Sequence, residues 1–553
     1  MTAWRSHALV ILTWALLYLP ATGVLPLLNR DEPRFARATI EMHERGDWIV
    51  PYFNGEYRFD KPPLTYWLMR GGYAVCGWNE AGARAHSVVC TLALALLVRF
   101  LGARWFSPRS GLLAALALLG CAQFLAHGRS ATADLPLALC VAAALAALLE
   151  LLGRPESPAG RAWRWVLWLS LALGFLAKGP VAWAVPGVTL LLFRFAFWRR
   201  PLPWSRLGLA WGLPLMLALA GAWGVPALLR TDGLFWSQGM HRHVVQRGLK
   251  AFDGRLFLPL VYYPATVLIS LYPWSAWAGR AWVRTRRHWD LPAAFLAAWF
   301  LAPMLVFSFY ATQLPHYVLP GFAAFLLLAF RGAPETEEYP RWTAVFGRAV
   351  ALAPAAAACV VLLPAGWLAL RGGPAWPLGL AGGAALAVAA LAFWVRGGPD
   401  VPRRAVLAAA LVGAALAACA ALVRAQDPVV RMKEIFARLP PGARCIAWGF
   451  REPSLVYYSG RTWTFPRTVP DLAAALKQPG PQCVVLMRDE TGLLRFLRRG
   501  PADRGAARPA WAGLDLRGYD RCEAEGLNTA RGTWVRCDLL VRPPSPATRA
   551  APE

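Results

Sequence analysis

The chain has 553 residues, 57% of them hydrophobic, and a mean hydropathy of +0.40, which is too apolar and too long for one soluble core. The net charge of +27 rests on Arg, because Lys occurs only five times. These Arg are scattered between apolar runs instead of forming a stripe on a polar face. That pattern excludes a nucleic-acid partner and fits membrane loops beside anionic lipid.

In chain order, the apolar runs predict about thirteen membrane-spanning helices, near 8–28, 81–101, 110–127, 135–152, 163–177, 180–197, 207–228, 257–278, 291–310, 314–330, 349–370, 376–395 and 405–423. The first run lacks a small-residue cleavage site and reads as a retained helix, not a signal peptide. Alternate loops carry Arg99, Arg104 and Arg109; Arg154, Arg161 and Arg164; Arg199, Arg200 and Arg206; Arg280, Arg284, Arg286 and Arg287; and Arg396, Arg403 and Arg404. These loops are assigned to the cytoplasm. The opposite side, the periplasm of a bacterium, receives residues 29–80, "HGRSATADLP", "AKGP", the 229–256 loop, "ATQLPHYVLP" and the C-terminal tail.

Residues 31–80 hold eight of the eighteen acidic residues found in 1–425. Here "PRFARATIEMHER" predicts a short helix, with Asp31 as its N-cap, Pro33 in its first turn, and Phe35, Ala38 and Met42 on one face. A juxtamembrane helix lying in the interface has this pattern. "GDWIVPYFNGEYRFDKPPLTYWL" adds an interfacial aromatic belt. Asp31 reads either as a helix cap or as a general base whose partial desolvation suits it to proton transfer. Asp60 beside Lys61 reads either as a surface ion pair or as a carboxylate orienting a phosphate-binding ammonium.

Asp134 heads the fourth span, where a charge is expensive unless paired, so it is a site candidate as well as a helix cap. Lys178, between two spans, faces the same side. Lys61, Lys178 and Lys250 place three of the five Lys there. His241 and His243 in "GMHRHVVQR" and His316 in "QLPHYVLP" also lie outside; hydrogen bonding is the plainer role for them, and no metal site is expected. No P-loop, nucleophile elbow, HExxH or dinucleotide fingerprint occurs.

From about residue 425 the composition changes. "RCIAWGF", "TWTF" and "QCVVLMRD" predict short strands around a helical "VPDLAAALK". The expected division is a membrane domain over 1–425, a small α/β domain over 426–540, and a disordered tail over 541–553. A disulfide between Cys522 and Cys537 is compatible with an oxidising compartment, and four cysteines in this region allow three full pairings.

The order "RDEPRFARATIEMHERGDWIVPYFNGEYRFDKPPLTYWL", "TADLP", "LAKGP", "LPHYVLP" resembles bacterial polyprenyl-phosphate-sugar glycosyltransferases of the protein mannosyltransferase-like superfamily, which includes the aminoarabinose transferase acting on lipid A. The resemblance implies a GT-C membrane fold and a polyprenyl (undecaprenyl) phosphate sugar donor. It implies Asp31 and Asp134 as catalytic carboxylates, and Arg34, Lys61 and Lys178 on the donor phosphate. Glu32, Asp60, His241, Gln313 and His316 would support them. Many members carry Lys where Gln313 stands, and Tyr where Phe35 stands.

Together these readings predict a polytopic α-helical inner-membrane enzyme with juxtamembrane helices. It would be an inverting glycosyltransferase acting, without a cofactor, on a lipid A, lipopolysaccharide or other envelope acceptor at the periplasmic face. A monomer is expected. A protein O-glycosyltransferase of the same fold, and a flippase or transporter of lipid-linked saccharides, are the competing readings.

Overall fold

A computed structural model describes residues 3–20, 22–27, 30–154, 159–239, 261–310, 312–332, 338–350, 427–492, 509–528 and 531–543. The spans expected near 349–370, 376–395 and 405–423 lie outside these residues, as do His241, His243 and Lys250.

Ten helices lead through the first part of the chain: α1 (Ala3–Tyr18), α2 (Asp31–Arg45), α3 (Leu64–Cys76), α4 (Glu80–Trp105), α5 (Pro108–Leu119), α6 (Ala122–His127), α7 (Asp134–Gly153), α8 (Gly160–Lys178), α9 (Val181–Leu191) and α10 (Leu209–Arg230). Among the described residues, α4, α7, α10 and Leu291–Ser308 are long and apolar enough to cross a membrane; Pro108–Leu119, Val181–Phe197 and Pro315–Ala329 are shorter apolar helices. The span expected over 110–127 is broken. Gly120 ends α5, Cys121 is extended, and the Ala122 N–H leaves the helical ladder to donate to the Tyr272 carbonyl at 2.8 Å.

Leu209, Leu213 and Leu229 of α10, and Ile11, Leu12 and Leu16 of α1, are exposed. An outward apolar face of this kind needs a hydrocarbon solvent, so this is a membrane protein. By contrast α7 is buried along its length, and its two carboxylates mark its ends. Glu150 accepts from Arg104 Nε and Trp105 Nε1, both at 2.8 Å. Asp134 begins the helix, sixteen residues or roughly 24 Å away.

The C-terminal region begins with helix Pro428–Phe436 and builds one five-stranded sheet, in the order β4–β3–β5–β7–β6. The strands are β3 (Arg444–Trp448), β4 (Trp463–Thr464), β5 (Gln482–Gly492), β6 (Asp520–Asn528) and β7 (Thr533–Arg542), numbered after the small hairpin β1 (Tyr52–Phe53) and β2 (Glu56–Tyr57). β3 runs parallel to β4 and β5, joined through helices Pro453–Ser459 and Val469–Lys477, while β5–β7 and β7–β6 are antiparallel. All eight described cysteines are free. Cys522 is exposed and opposes Leu539, whereas Cys537 is buried and opposes Ala524, so the two are diagonal neighbours too far apart for a disulfide.

The sheet is fastened to the first loop. Asn54, in the left-handed region at the β1–β2 turn (φ 58°), donates to the Trp463 carbonyl at 2.9 Å and accepts from the Trp463 N–H at 2.7 Å. The Leu27 N–H donates to Tyr458 Oη at 2.8 Å, and Lys433 pairs with Glu80 at 3.3 Å.

Candidate active site

Helix α2 opens the first loop and packs on α3. Its N-cap is Arg30, whose backbone is already helical, so Asp31 is the first helical residue and not the cap. Phe35, Ala38 and Met42 are buried together as their spacing predicts, but against Tyr66, Met69 and Tyr73 of α3. Gly46 closes the helix at φ +66°, a conformation a side chain would strain.

Asp31 and Glu32 have different surroundings. The Asp31 side chain is 63% exposed, 4.0 Å from Arg34 Nη1. Among the described residues, what sets Asp31 apart is its access. Glu32 is buried, takes a two-pronged contact from Arg84 at 2.9 and 3.1 Å, and accepts the Ala131 N–H at 2.8 Å. Arg84 also donates to the carbonyls of Thr22, Leu25 and Pro26. Glu32 thus ties α2, α4 and the segment before α7 together.

After the hairpin, whose turn is held by Glu41 accepting from the N–H groups of Asn54 and Gly55 at 2.9 and 3.0 Å, the chain delivers Arg58, Asp60 and Lys61 in succession. The Asp60 carboxylate is engaged by Arg58 Nη1 at 3.0 Å, while Lys61 Nζ donates to the Asp60 backbone carbonyl at 3.0 Å. Arg58, which the sequence reading passed over, is buried, donates to Tyr66 Oη at 3.0 Å and lies 5.2 Å over the Phe35 ring. Burial works against its charge, but Tyr66, Asp60 and Asp31 outweigh that and raise its pKa. Arg34 is shifted the other way, by burial and then by repulsion from Arg58, with Asp31 and Asp60 opposing. Two guanidiniums in mutual repulsion at a partly open rim are a natural seat for an anion.

A second group sits deeper. Lys178, at the end of α8, reaches Asp134 Oδ1 at 2.5 Å, and its Nζ lies 4.9 Å from the Tyr317 ring. His316 Nε2 is 3.7 Å from the same carboxylate oxygen, and the His316 and His127 rings are 4.7 Å apart. The ligand atoms of His127, Asp134 and His316 all lie within 4.8 Å of one another, the spacing of a potential metal-binding set among the described residues. Gln313 donates its amide to the Ser308 carbonyl at 3.0 Å, leaving its Oε1 buried and without a partner among the described residues.

Between α8 and α10 lies a cavity of about 590 Å³. Its walls are apolar, with Phe175, Leu217, Trp223, Phe235 and Phe307 among them, and Asp60, Lys61, Lys178 and Thr312 supply polar groups. The Thr312 hydroxyl is buried and has no hydrogen-bond partner among the described residues. The structure therefore brings Asp60, Lys61 and Lys178 to one cavity, with Asp134 and His316 behind Lys178. Asp31 and Arg34 form a rim cluster with Arg58 and Asp60. Glu32 turns away to Arg84.

Residues 60–223 match the family model described as dolichyl-phosphate-mannose-protein mannosyltransferase. The undecaprenyl phosphate-alpha-4-amino-4-deoxy-L-arabinose arabinosyl transferase of Pseudomonas aeruginosa (strain LESB58) is 32% identical over 339 residues, 59% of each chain. The enzyme of the same name from Enterobacter sp. (strain 638) is 29% identical over 373 residues, 66% of each. The chain thus spans about three fifths of the length of the first of these relatives. The crystal structure of ArnT from Cupriavidus metallidurans bound to undecaprenyl phosphate superimposes with a TM-score of 0.74 at 20% identity, covering 99% of both chains. The fold is accordingly the GT-C fold, and the chain is similar in sequence and in architecture to the undecaprenyl phosphate-aminoarabinose arabinosyl transferases.

Proposed function

We propose that this chain is an inverting glycosyltransferase that moves a sugar of the aminoarabinose class from undecaprenyl phosphate to lipid A or a related envelope lipid. In this reading about thirteen helices cross the inner membrane, and the site and the α/β domain of residues 426–540 face the periplasm. The carrying observation is the mostly apolar cavity whose polar lining includes Lys61, Lys178 and Thr312, the last with no hydrogen-bond partner among the described residues. A long hydrocarbon ending in one phosphate has the matching distribution of polarity.

The acceptor hydroxyl attacks the sugar's anomeric carbon as the bond from that carbon to the phosphate oxygen breaks. Asp31, open to an acceptor headgroup, takes the hydroxyl proton. The electron pair leaves on the phosphate, where Lys61, Lys178 and Arg34 offset the growing charge. Asp134 holds Lys178 at the cavity wall, and the Arg58–Asp60 pair fixes the backbone that presents Lys61.

The test is incubation of the purified chain in detergent with undecaprenyl phosphate-linked aminoarabinose and lipid A, read by mass spectrometry. Lipid A heavier by one sugar residue supports the proposal. Transfer to a Ser or Thr peptide instead would make it a protein O-glycosyltransferase. Movement of the donor across sealed vesicles with no product would make it a transporter.

A further inference from the structure

We propose that His127, Asp134 and His316 form a binding site for one divalent cation of the zinc class. The three side chains come from separate elements: His127 ends α6, Asp134 begins α7, and His316 lies in the 3-10 turn Pro315–Gly321. Two imidazoles and one carboxylate form a common donor set for zinc, with a fourth position left for water or a substrate oxygen. Their ligand atoms already lie within 4.8 Å of one another, and His316 Nε2 is 3.7 Å from Asp134 Oδ1. With bonds of about 2.0–2.2 Å, tetrahedral ligand atoms stand roughly 3.4 Å apart, so closure needs side-chain shifts of about 1 Å.

The supporting shell has a matching feature. His127 Nδ1 lies 3.3 Å from the Gln123 backbone carbonyl and 3.1 Å from the Gln123 amide nitrogen. Donation to the carbonyl sets the tautomer whose Nε2 is free to bind a cation; acceptance from the amide sets the other. A metal selects the first.

Lys178 is the competitor, since its ammonium occupies Asp134 Oδ1. It has a second berth: it lines the cavity and already lies over the Tyr317 ring at 4.9 Å. A divalent cation on Asp134 repels the ammonium toward that berth and into the cavity. The inference stands apart from the transferase reading, because it is tested without sugar, lipid donor or acceptor.

The full-length chain, freed of any affinity tag and stripped with a chelator, is equilibrated with zinc in detergent and its metal counted by mass spectrometry. One zinc per chain is expected. His127→Ala and His316→Ala should lose it, and Lys178→Met should bind zinc more tightly because the competing ammonium is gone. No zinc retained by the unsubstituted chain, or undiminished zinc in both His variants, overturns the proposal, as does loss of zinc in Lys178→Met. If the His variants do not fold, cobalt in the unsubstituted chain decides: an intense tetrahedral visible spectrum supports the site, and a weak octahedral one overturns it.

Discussion

The rim of the site and its inner wall hold similar charges in different ways. At the rim, Asp31 is 63% exposed and 4.0 Å from Arg34. At the wall, Asp134 is buried and in contact with Lys178 at 2.5 Å. A carboxylate exposed at the rim can meet an incoming hydroxyl, whereas one in close contact with an ammonium serves to place that ammonium. Glu32, next to Asp31 in sequence, takes the second arrangement furthest, with both partners of its ion pair 3% exposed.

The sharpest way to break this contrast is Asp31→Asn. Transfer should fall by about 10²–10⁴-fold while the unfolding temperature stays put. Substantial turnover in that variant would move the base elsewhere. Glu32→Ala should do the reverse, costing about 3–5 kcal/mol of stability because Arg84 is left buried without its counter-charge. Thermal unfolding in detergent measures it, and a stable variant with only lost activity would place Glu32 in the chemistry. Lys61→Ala should raise the KM for the donor by about 10–100-fold, the worth of one charge-assisted hydrogen bond, with little change for the acceptor. The opposite split in steady-state kinetics would contradict a phosphate contact.

The smallest effect concerns Asp427, which caps helix Pro428–Phe436 by accepting the Val429 N–H at 2.9 Å. Burial pushes its carboxyl up to about 6, against the two backbone hydrogen bonds that favour the charge. The folded state therefore binds this proton more tightly than the unfolded chain, whose value is the ordinary 3.8. Its contribution is complete below about pH 4 and is lost as pH rises through about 6. Denaturation profiles over that range should slope downward and flatten above it, and Asp427→Asn should remove the slope.

The sequence makes some parts of this design readable. The spacing of Phe35, Ala38 and Met42 announces α2, and the cost of an intramembrane charge singles out Asp134. The scarcity of Lys draws attention to Lys61 and Lys178. Arg58 is invisible by the same logic, because one Arg among so many carries no signal; its place two residues before Asp60 in "YRFDKPP" is the clue available. Glu32 reads as a mere neighbour of Asp31, since its partner Arg84 is 52 residues away. β6 escapes notice because "DRCEAEGLN" is charged and lacks an apolar alternation, and it becomes a strand by pairing with β7 along its length.

The double hydrogen bond between Asn54 and Trp463 joins residues 409 positions apart. Arg58, Asp60 and Lys61 follow Asn54 by four to seven residues along the same strand of chain. The C-terminal sheet is therefore a handle on the segment that brings Asp60 and Lys61 to the cavity. Anything that tugs the sheet outward, whether a bound neighbour, a cut in the chain or a single change at Asn54, slackens the tether that aims those side chains.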